Sequence, residues 1–309
     1  MKEEKISLGE GTQYPLNGML TLPEDSCEKV PAVVFVHGSG SSNMDEKIGA
    51  LTPFRDLAHG LAKRGIASLR YDKRSYTHAL KVMREAHGML TVKEEAVEDA
   101  ILAAELLRRD ARIDAERIFI VGHSMGGMLA PRIDLDGGNF CGLILMAGTP
   151  RRLEEILFDQ IAAMRDAMPR LFRWILARQE AKYRKLFDGL YDLTDEEAQK
   201  KPFGGGVTLY YFKEMGLPTG AEYLARCTKP MLIMQGSRDL QVSVERDFGM
   251  YQCLLSAREN VTFHLYDGLN HAFVPALYDN IKDAAKEFKK ERHIGDEVID
   301  DIAAFIGKY

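Results

Sequence analysis

The sequence predicts an α/β protein: a mostly parallel sheet of eight strands, helices on both faces, and one helical insertion. Three observations predict it. Short apolar strand signals alternate with amphipathic helix signals over most of the 309 residues, the rhythm of a wound parallel sheet. Segments such as Ala32–His37 (Ala-Val-Val-Phe-Val-His) are continuously apolar, as strands covered on both sides are. The alternation then fails once, between Pro150 and about Arg226.

The strand candidates run in order Lys5–Gly9, Gly18–Leu22, Ala32–His37, Ile66–Tyr71, Arg117–Val121, Gly142–Met146, Pro230–Gln235 and Val261–Tyr266. The first two look like an antiparallel start to the sheet. The helices between the strands have chemical start and stop signals. Thr52-Pro53 opens one as N-cap and first-turn proline, and Gly65 closes it. Thr91 and Glu94 form a capping box ahead of Ala96, Val97, Ala100, Ile101, Ala104 and Leu107, which share one helical face. Ser243 can cap the helix after the Pro230 strand. The stretch from Tyr278 to Tyr309 reads as two amphipathic helices broken near His293–Gly295.

Residues 150–226 carry helical periodicity, many charges and no convincing strand. Arg151–Lys185 reads as two or three helices, and Phe203-Gly204-Gly205-Gly206 as a flexible hinge or loop. Such a length is too great for a plain crossover loop. The expected organisation is therefore a core domain of residues 1–149 and 227–309 carrying a helical cap at 150–226.

Composition bounds the function. With 46% hydrophobic and 28% charged residues, the chain has material for a sizeable core and no signature of disorder. A formal charge of −5 gives no footprint for nucleic acid or an anionic membrane, so neither nucleic-acid binding nor stable membrane association is expected. The charged start Met1-Lys2-Glu3-Glu4-Lys5 is unlike a signal peptide, and no apolar run is long enough to span a bilayer. Cys27, Cys141, Cys227 and Cys253 lack metal-ligand or framework spacing. They read as reduced thiols, with Cys141 buried beside an apolar strand, and the expected location is the cytoplasm.

The chemistry centres on Gly122-His123-Ser124-Met125-Gly126-Gly127, directly after the Arg117–Val121 strand and before a helix signal. Gly-x-Ser-x-Gly alone is a weak pattern. In a sharp strand-to-helix turn, however, it pushes a serine hydroxyl out of the sheet while the glycines let backbone approach closely. A serine needs a base to take its proton. His271, in Asp267-Gly268-Leu269-Asn270-His271, sits in a loop at the C-terminal end of the last strand. Of the other histidines, His37, His59, His78, His87, His123, His264 and His293, none combines that position with a glycine-containing loop.

An imidazole needs a partner that fixes its tautomer. Asp239 follows the Pro230–Gln235 strand in Gly236-Ser237-Arg238-Asp239, on the same rim of the sheet. Taken alone it is an ordinary turn aspartate. Its rivals are Asp267, too close to His271 in sequence, and Glu245, inside a helix. The order Ser124, Asp239, His271 matches that of strand-end triads, and the three support one another. A tetrahedral oxyanion requires backbone N–H donors. The amide of Met125 is one candidate, and the segment His37-Gly38-Ser39-Gly40 offers the other: Ser39 is favoured, and Gly38 stays open.

With these residues in place, the chain resembles the α/β-hydrolase superfamily over nearly its whole length. It is most similar to bacterial esterases of the dienelactone-hydrolase-like and acyl-aminopeptidase-like branches. Pro53-Phe54-Arg55-Asp56-Leu57-Ala58 and Leu69-Arg70-Tyr71-Asp72-Lys73-Arg74 resemble the matching region of that group. The resemblance implies an α/β-hydrolase fold of eight strands with the second antiparallel. It implies hydrolysis of an ester, thioester or amide through an acyl-enzyme, with no metal and no organic cofactor. Ser75 departs from the pattern, since many relatives carry glycine there. Dienelactone hydrolases proper use a cysteine nucleophile, and Ser124 argues against that activity.

Specificity is expected from the cap and nearby loops. Phe203, Tyr210, Tyr211 and Phe212 either line an acyl or aryl pocket or pack the cap onto the body, and Tyr76 and His78 are candidates to reach the cleft. Arg151, Arg152, Lys182, Arg184 and Lys185 are placed either to meet an anionic substrate or on a solvated face. The leading expectation is a carboxylesterase taking a small-molecule ester, as a monomer or homodimer. A peptidase or acyl-aminopeptidase, an acyl-CoA thioesterase and a non-catalytic binding member are the other readings.

Overall fold

The structure, a computed structural model, describes residues 1–24, 28–86 and 90–309; Cys27 and His87 lie outside the described residues. In chain order the strands are β1 (Lys2–Leu8), β2 (Leu16–Leu22), β3 (Val30–Val36), β4 (Ala67–Tyr71), β5 (Ile113–His123), β6 (Leu143–Met146), β7 (Pro202–Gly204), β8 (Val207–Thr208), β9 (Met231–Gly236) and β10 (Val261–Tyr266). All but β7 and β8 form one sheet, ordered β1-β2-β4-β3-β5-β6-β9-β10. β2 is antiparallel to both neighbours, and from β4 across to β10 every adjacent pair of that sheet is parallel.

Burial explains the register. In β3 alternate residues enter two different apolar layers: Val34 and Val36 one, Val33 and Phe35 the other. The first layer packs under α4 (Glu98–Arg109) and α5 (Met125–Ile133). The second packs under α1 (Pro53–Ala62) and α13 (Asp296–Lys308), and shorter helices α2 (Arg74–Thr77), α3 (Ala79–Ala86), α11 (Gly249–Leu255) and α12 (Ile281–Glu287) fill the connections. This is a strand buried on both faces, hence its lack of polar alternation.

The predicted helix signals act at most positions. Pro53 opens α1, although the Thr52 side chain makes no capping bond. Gly65, at φ 82°, ends it, and the Ile66 and Gly65 amides close onto the carbonyls of Leu61 and Ala62. Glu94 accepts the Thr91 amide at 2.9 Å, and Ser243 accepts the Arg246 amide at 3.2 Å. Cys141 is half-buried rather than buried, because it lies in the turn just before β6, beside the Tyr309 carbonyl.

Between β6 and β9 lie α6 (Leu153–Ala167), α7 (Arg173–Phe187), α8 (Asp195–Gln199), α9 (Leu209–Gly216) and α10 (Gly220–Arg226). Arg165 on α6 reaches Glu180 on α7 at 2.6 Å, while Trp174 at the start of α7 is 62% exposed. Phe187, Phe203 and Phe212 pack edge to face with centroids 4.7–5.6 Å apart. The loop expected at Phe203–Gly206 is instead an antiparallel hairpin, β7–β8. Gly204, Gly205 and Gly206 all have positive φ, so the glycines make its turn.

Candidate active site

Ser124 sits between the last residue of β5 and the first of α5, with φ 54° and ψ −117°. That is a strained setting for a side chain with a Cβ, held by its N–H donating to Met146 O at 2.8 Å and its C=O accepting from Met128 N at 3.1 Å. The flanking glycines are sterically required. A Cβ on Gly122 would stand 2.2 Å from Gly126 O, and one on Gly126 would stand 2.1 Å from Val36 O.

The loop after β10 carries His271, and the turn after β9 carries Asp239. His271 Nδ1 lies 2.7 Å from Asp239 Oδ2, with the Asp239 side chain wholly buried. Asp239 Oδ2 also accepts from Gln235 Nε2 at 2.7 Å. Its Oδ1 accepts from the backbone N–H of Gln241 and Val242, at 2.7 and 3.0 Å. The carboxylate is thus held by four donors. A proton on Nδ1 leaves Nε2 of His271 as an acceptor. Ser124 and His271 border one cavity of about 310 Å³. The rival acids lie elsewhere: Asp267 accepts from Ser237 Oγ at 3.1 Å, and Glu245 lies in the helical turn Val244–Phe248.

Beyond β3, Gly38 donates its N–H to Glu46 Oε1 at 2.8 Å. That amide is therefore already engaged by a carboxylate. Ser39 borders three cavities that also border Ser124 or Phe203. Met125 begins α5, where backbone N–H groups lack helical acceptors.

A buried ion pair braces this corner. His123 Nδ1 and Glu46 Oε2 are 3.0 Å apart, off the line of a good hydrogen bond, and His123 Nε2 meets His271 O at 2.9 Å. Burial alone pushes the His123 imidazole down, but Glu46, with the His271 carbonyl and Asp239 helping, reverses this and the net displacement is upward. Burial likewise raises the Glu46 carboxyl, but His123, His37 and the Gly38 N–H together more than offset it, so Glu46 titrates low. His37, fully enclosed, is pushed down to about 4 by burial, and its Nε2 meets Asn43 O at 3.0 Å. Sequence reasoning missed Glu46. Its only signal is a non-glycine residue at φ 49°, which a sequence does not display.

Two further chambers flank Ser39. One, of about 290 Å³, is bordered by Ser124, Met128, Ile156, Leu157 and Phe212. The other, of about 430 Å³, is bordered by Val82, Met83, Glu95, Val207 and Tyr211. Leu153 and Phe203 border both. Of the expected pocket residues, Phe203, Tyr211 and Phe212 therefore face cavities. Tyr210 is half-buried and packs on the apolar cluster. Tyr76 is 54% exposed and belongs to neither chamber's lining, while His78 turns away to Pro15 O at 2.7 Å. Arg151 pairs with Asp159 and Asp247 and Arg184 with Glu180, so these cations are already engaged. Among the described residues no cluster of three His, Cys, Asp or Glu is arranged to hold a metal ion, and no helix is long and apolar enough to cross a membrane.

A sheet with only its second strand reversed, a strained serine at a strand-to-helix turn and a histidine–carboxylate pair on the same rim define a class. The chain belongs to the alpha/beta hydrolase family, whose model matches residues 33–284. It is 34% identical over 293 residues to Esterase EstD of Thermotoga maritima, an alignment covering 95% of this chain and 66% of that protein. The chain thus spans just under two thirds of that relative's length. Among solved structures, a proline iminopeptidase of Mycobacterium smegmatis superposes with a TM-score of 0.62 at 15% identity, covering 99% of this chain and 98% of that one. An esterase of Pyrococcus furiosus superposes with a TM-score of 0.58 at 17% identity, covering 100% and 91%. At those identities the likeness is one of fold.

Proposed function

We propose that the chain is a serine esterase that cleaves small to medium acyl or aryl esters through an acyl-enzyme. The observation that carries this reading is the 2.7 Å contact of His271 with a wholly buried Asp239, in a site that also borders Ser124. The likeness to a protein named as an esterase supports it. Ser124 Oγ attacks the ester carbonyl as His271 Nε2 takes its proton, and Asp239 stabilises the imidazolium. The N–H groups of Ser39 and Met125 receive the oxyanion. Collapse expels the alcohol, protonated by His271, and a water activated by the same base then releases the acid.

The apolar chamber of about 290 Å³ beside Ser124 sits near the small end of ligand sites, which favours short and medium acyl groups. Residues 150–226 act in this reading as a cap, with Phe203 and Tyr211 contributing to the pocket. Three free thiols among the described residues fit a reducing compartment, and we place the enzyme in the cytoplasm on that ground. The test is steady-state hydrolysis of p-nitrophenyl esters from acetate to decanoate, with Ser124→Ala alongside. Turnover that peaks at short or medium chains and vanishes in the variant is expected. A folded protein inert to every ester, or a Ser124→Ala variant as active as the parent, would overturn the reading.

A further inference from the structure

One buried cation has no part in the chemistry above. Lys73 lies just past β4 with its side chain 3% exposed. Its Nζ donates to Gly38 O at 2.9 Å and pairs with Glu95 at 3.0 Å. Its own N–H donates to Ser42 O at 3.0 Å, and the adjacent Asp72 accepts the Met44 N–H at 2.8 Å. The turn after β4 therefore grips the loop after β3 at three points.

Gly38 O and the Ser39 N–H belong to the same peptide unit. A trans peptide is planar, so its C=O and N–H point in opposite directions. Holding the oxygen on one side aims the N–H at the other. Glycine at position 38 would otherwise let that plane turn freely. Here both flanking peptides are held: the preceding one through Gly38 N–H on Glu46, the following one through Gly38 O on Lys73. An ammonium on the carbonyl oxygen also polarises the unit and strengthens its N–H as a donor.

The far side of Lys73 reaches the segment between β6 and β9. Glu95 Oε2 accepts from the Tyr211 hydroxyl at 2.7 Å, and its Oε1 lies 3.3 Å from Ser75 Oγ. Tyr211 belongs to α9 and borders the larger chamber. The contacts run unbroken from α9 through Glu95 and Lys73 to the Gly38–Ser39 peptide.

We propose that Lys73 is a positioning residue for the oxyanion hole, aiming the Ser39 N–H, and that Tyr211, acting through Glu95, ties this setting to the seating of the cap. The proposal rests on the serine-esterase reading. A buried ion pair kept only for stability has no reason to end on this one carbonyl, since such pairs are often replaceable by apolar residues without loss.

The test compares p-nitrophenyl butyrate with its thionoester, whose C=S sulfur is a weak acceptor and draws little from N–H donors. The double variant Lys73→Met/Glu95→Gln removes both charges, leaving neither stranded. Its kcat on the oxygen ester should fall about 30-fold with KM within about twofold, while the thionoester rate barely moves, so the ratio of the two also falls about 30-fold. Tyr211→Phe, which keeps both charges, should move the ratio the same way by about threefold; it decides alone if circular dichroism shows the double variant unfolded. Equal loss on both esters, or a parental ratio in the folded variants, would overturn the proposal. A parent enzyme inert to all esters would instead fail the esterase reading itself.

Discussion

Replacing Asp239 by Asn changes one oxygen to an NH₂ of the same size, and the four donors around that carboxylate dictate how the new amide must sit. Two of them are backbone N–H groups, of Gln241 and Val242, on Oδ1. They cannot rotate away, so the oxygen of the substituted side chain must take its place opposite them. The amide NH₂ then faces His271 Nδ1, which sits 2.7 Å from the present Oδ2. Two N–H groups cannot share that contact. The imidazole is driven to carry its proton on Nε2, the atom that accepts the Ser124 proton in the proposed mechanism. In the serine-protease triad, loss of the correct tautomer and of the charge facing the imidazolium costs about 10⁴ in kcat, or about 5 kcal/mol of barrier. The same magnitude is expected here, because Asp239 is wholly enclosed. The assay is kcat for p-nitrophenyl butyrate near neutral pH, with KM and the thermal unfolding midpoint recorded in parallel. KM should stay within about threefold. A folded Asp239→Asn enzyme retaining a tenth or more of parental kcat would refute the tautomer argument and return Asp239 to the role of a turn residue.

Two other predictions concern the walls of the site and its acid limit. Phe203 borders both chambers, so Phe203→Ala should join them and raise the decanoate-to-butyrate ratio of kcat/KM by about tenfold, the roughly 1.4 kcal/mol that one additional accommodated methylene supplies; an unchanged chain-length profile would show that the chambers do not both receive the acyl group. His37 titrates at about 4 against an ordinary value of 6.5 because burial opposes its charge, so the stability it contributes is complete above about pH 6.5 and is withdrawn as pH falls through about 4. The interval is worth about 3 kcal/mol, and urea unfolding at pH 7 and pH 4.5 should show His37→Gln losing less stability on acidification than the parent does; equal losses would exclude His37 as the group responsible.

Much of the fold was legible because burial writes itself into composition. β3, β6 and β9 are enclosed almost throughout, so their sequences are largely continuous apolar runs bounded by turn residues. The rim of the sheet was legible for a related reason: Ser124, Asp239 and His271 each follow their own strand, among small residues that a close backbone approach demands. The β7–β8 hairpin was not, since strands of three and two residues are shorter than any window that reveals a period, and three glycines read as a loop whether or not they make a tight turn. Glu46 and Lys73 were hidden differently. Lys73 meets Gly38 across 35 residues of sequence, and Glu46 meets His123 from a separate loop. Both are ordinary surface-type residues until the fold encloses them. Tyr76 shows the converse, an aromatic residue near a motif that the fold leaves 54% exposed.

The chain's single tryptophan, Trp174, stands 62% exposed at the start of α7, far in sequence from every strand of the main sheet. Its emission is therefore that of an indole already in water, and unfolding the sheet gives it little further solvent to meet. Fluorescence from this residue follows the helical segment between β6 and β9 and stays nearly silent about the body beneath. For an optical experiment the molecule thus carries a built-in reporter on the helical segment between β6 and β9, while the twelve tyrosines, several of them enclosed, are left to report on the rest.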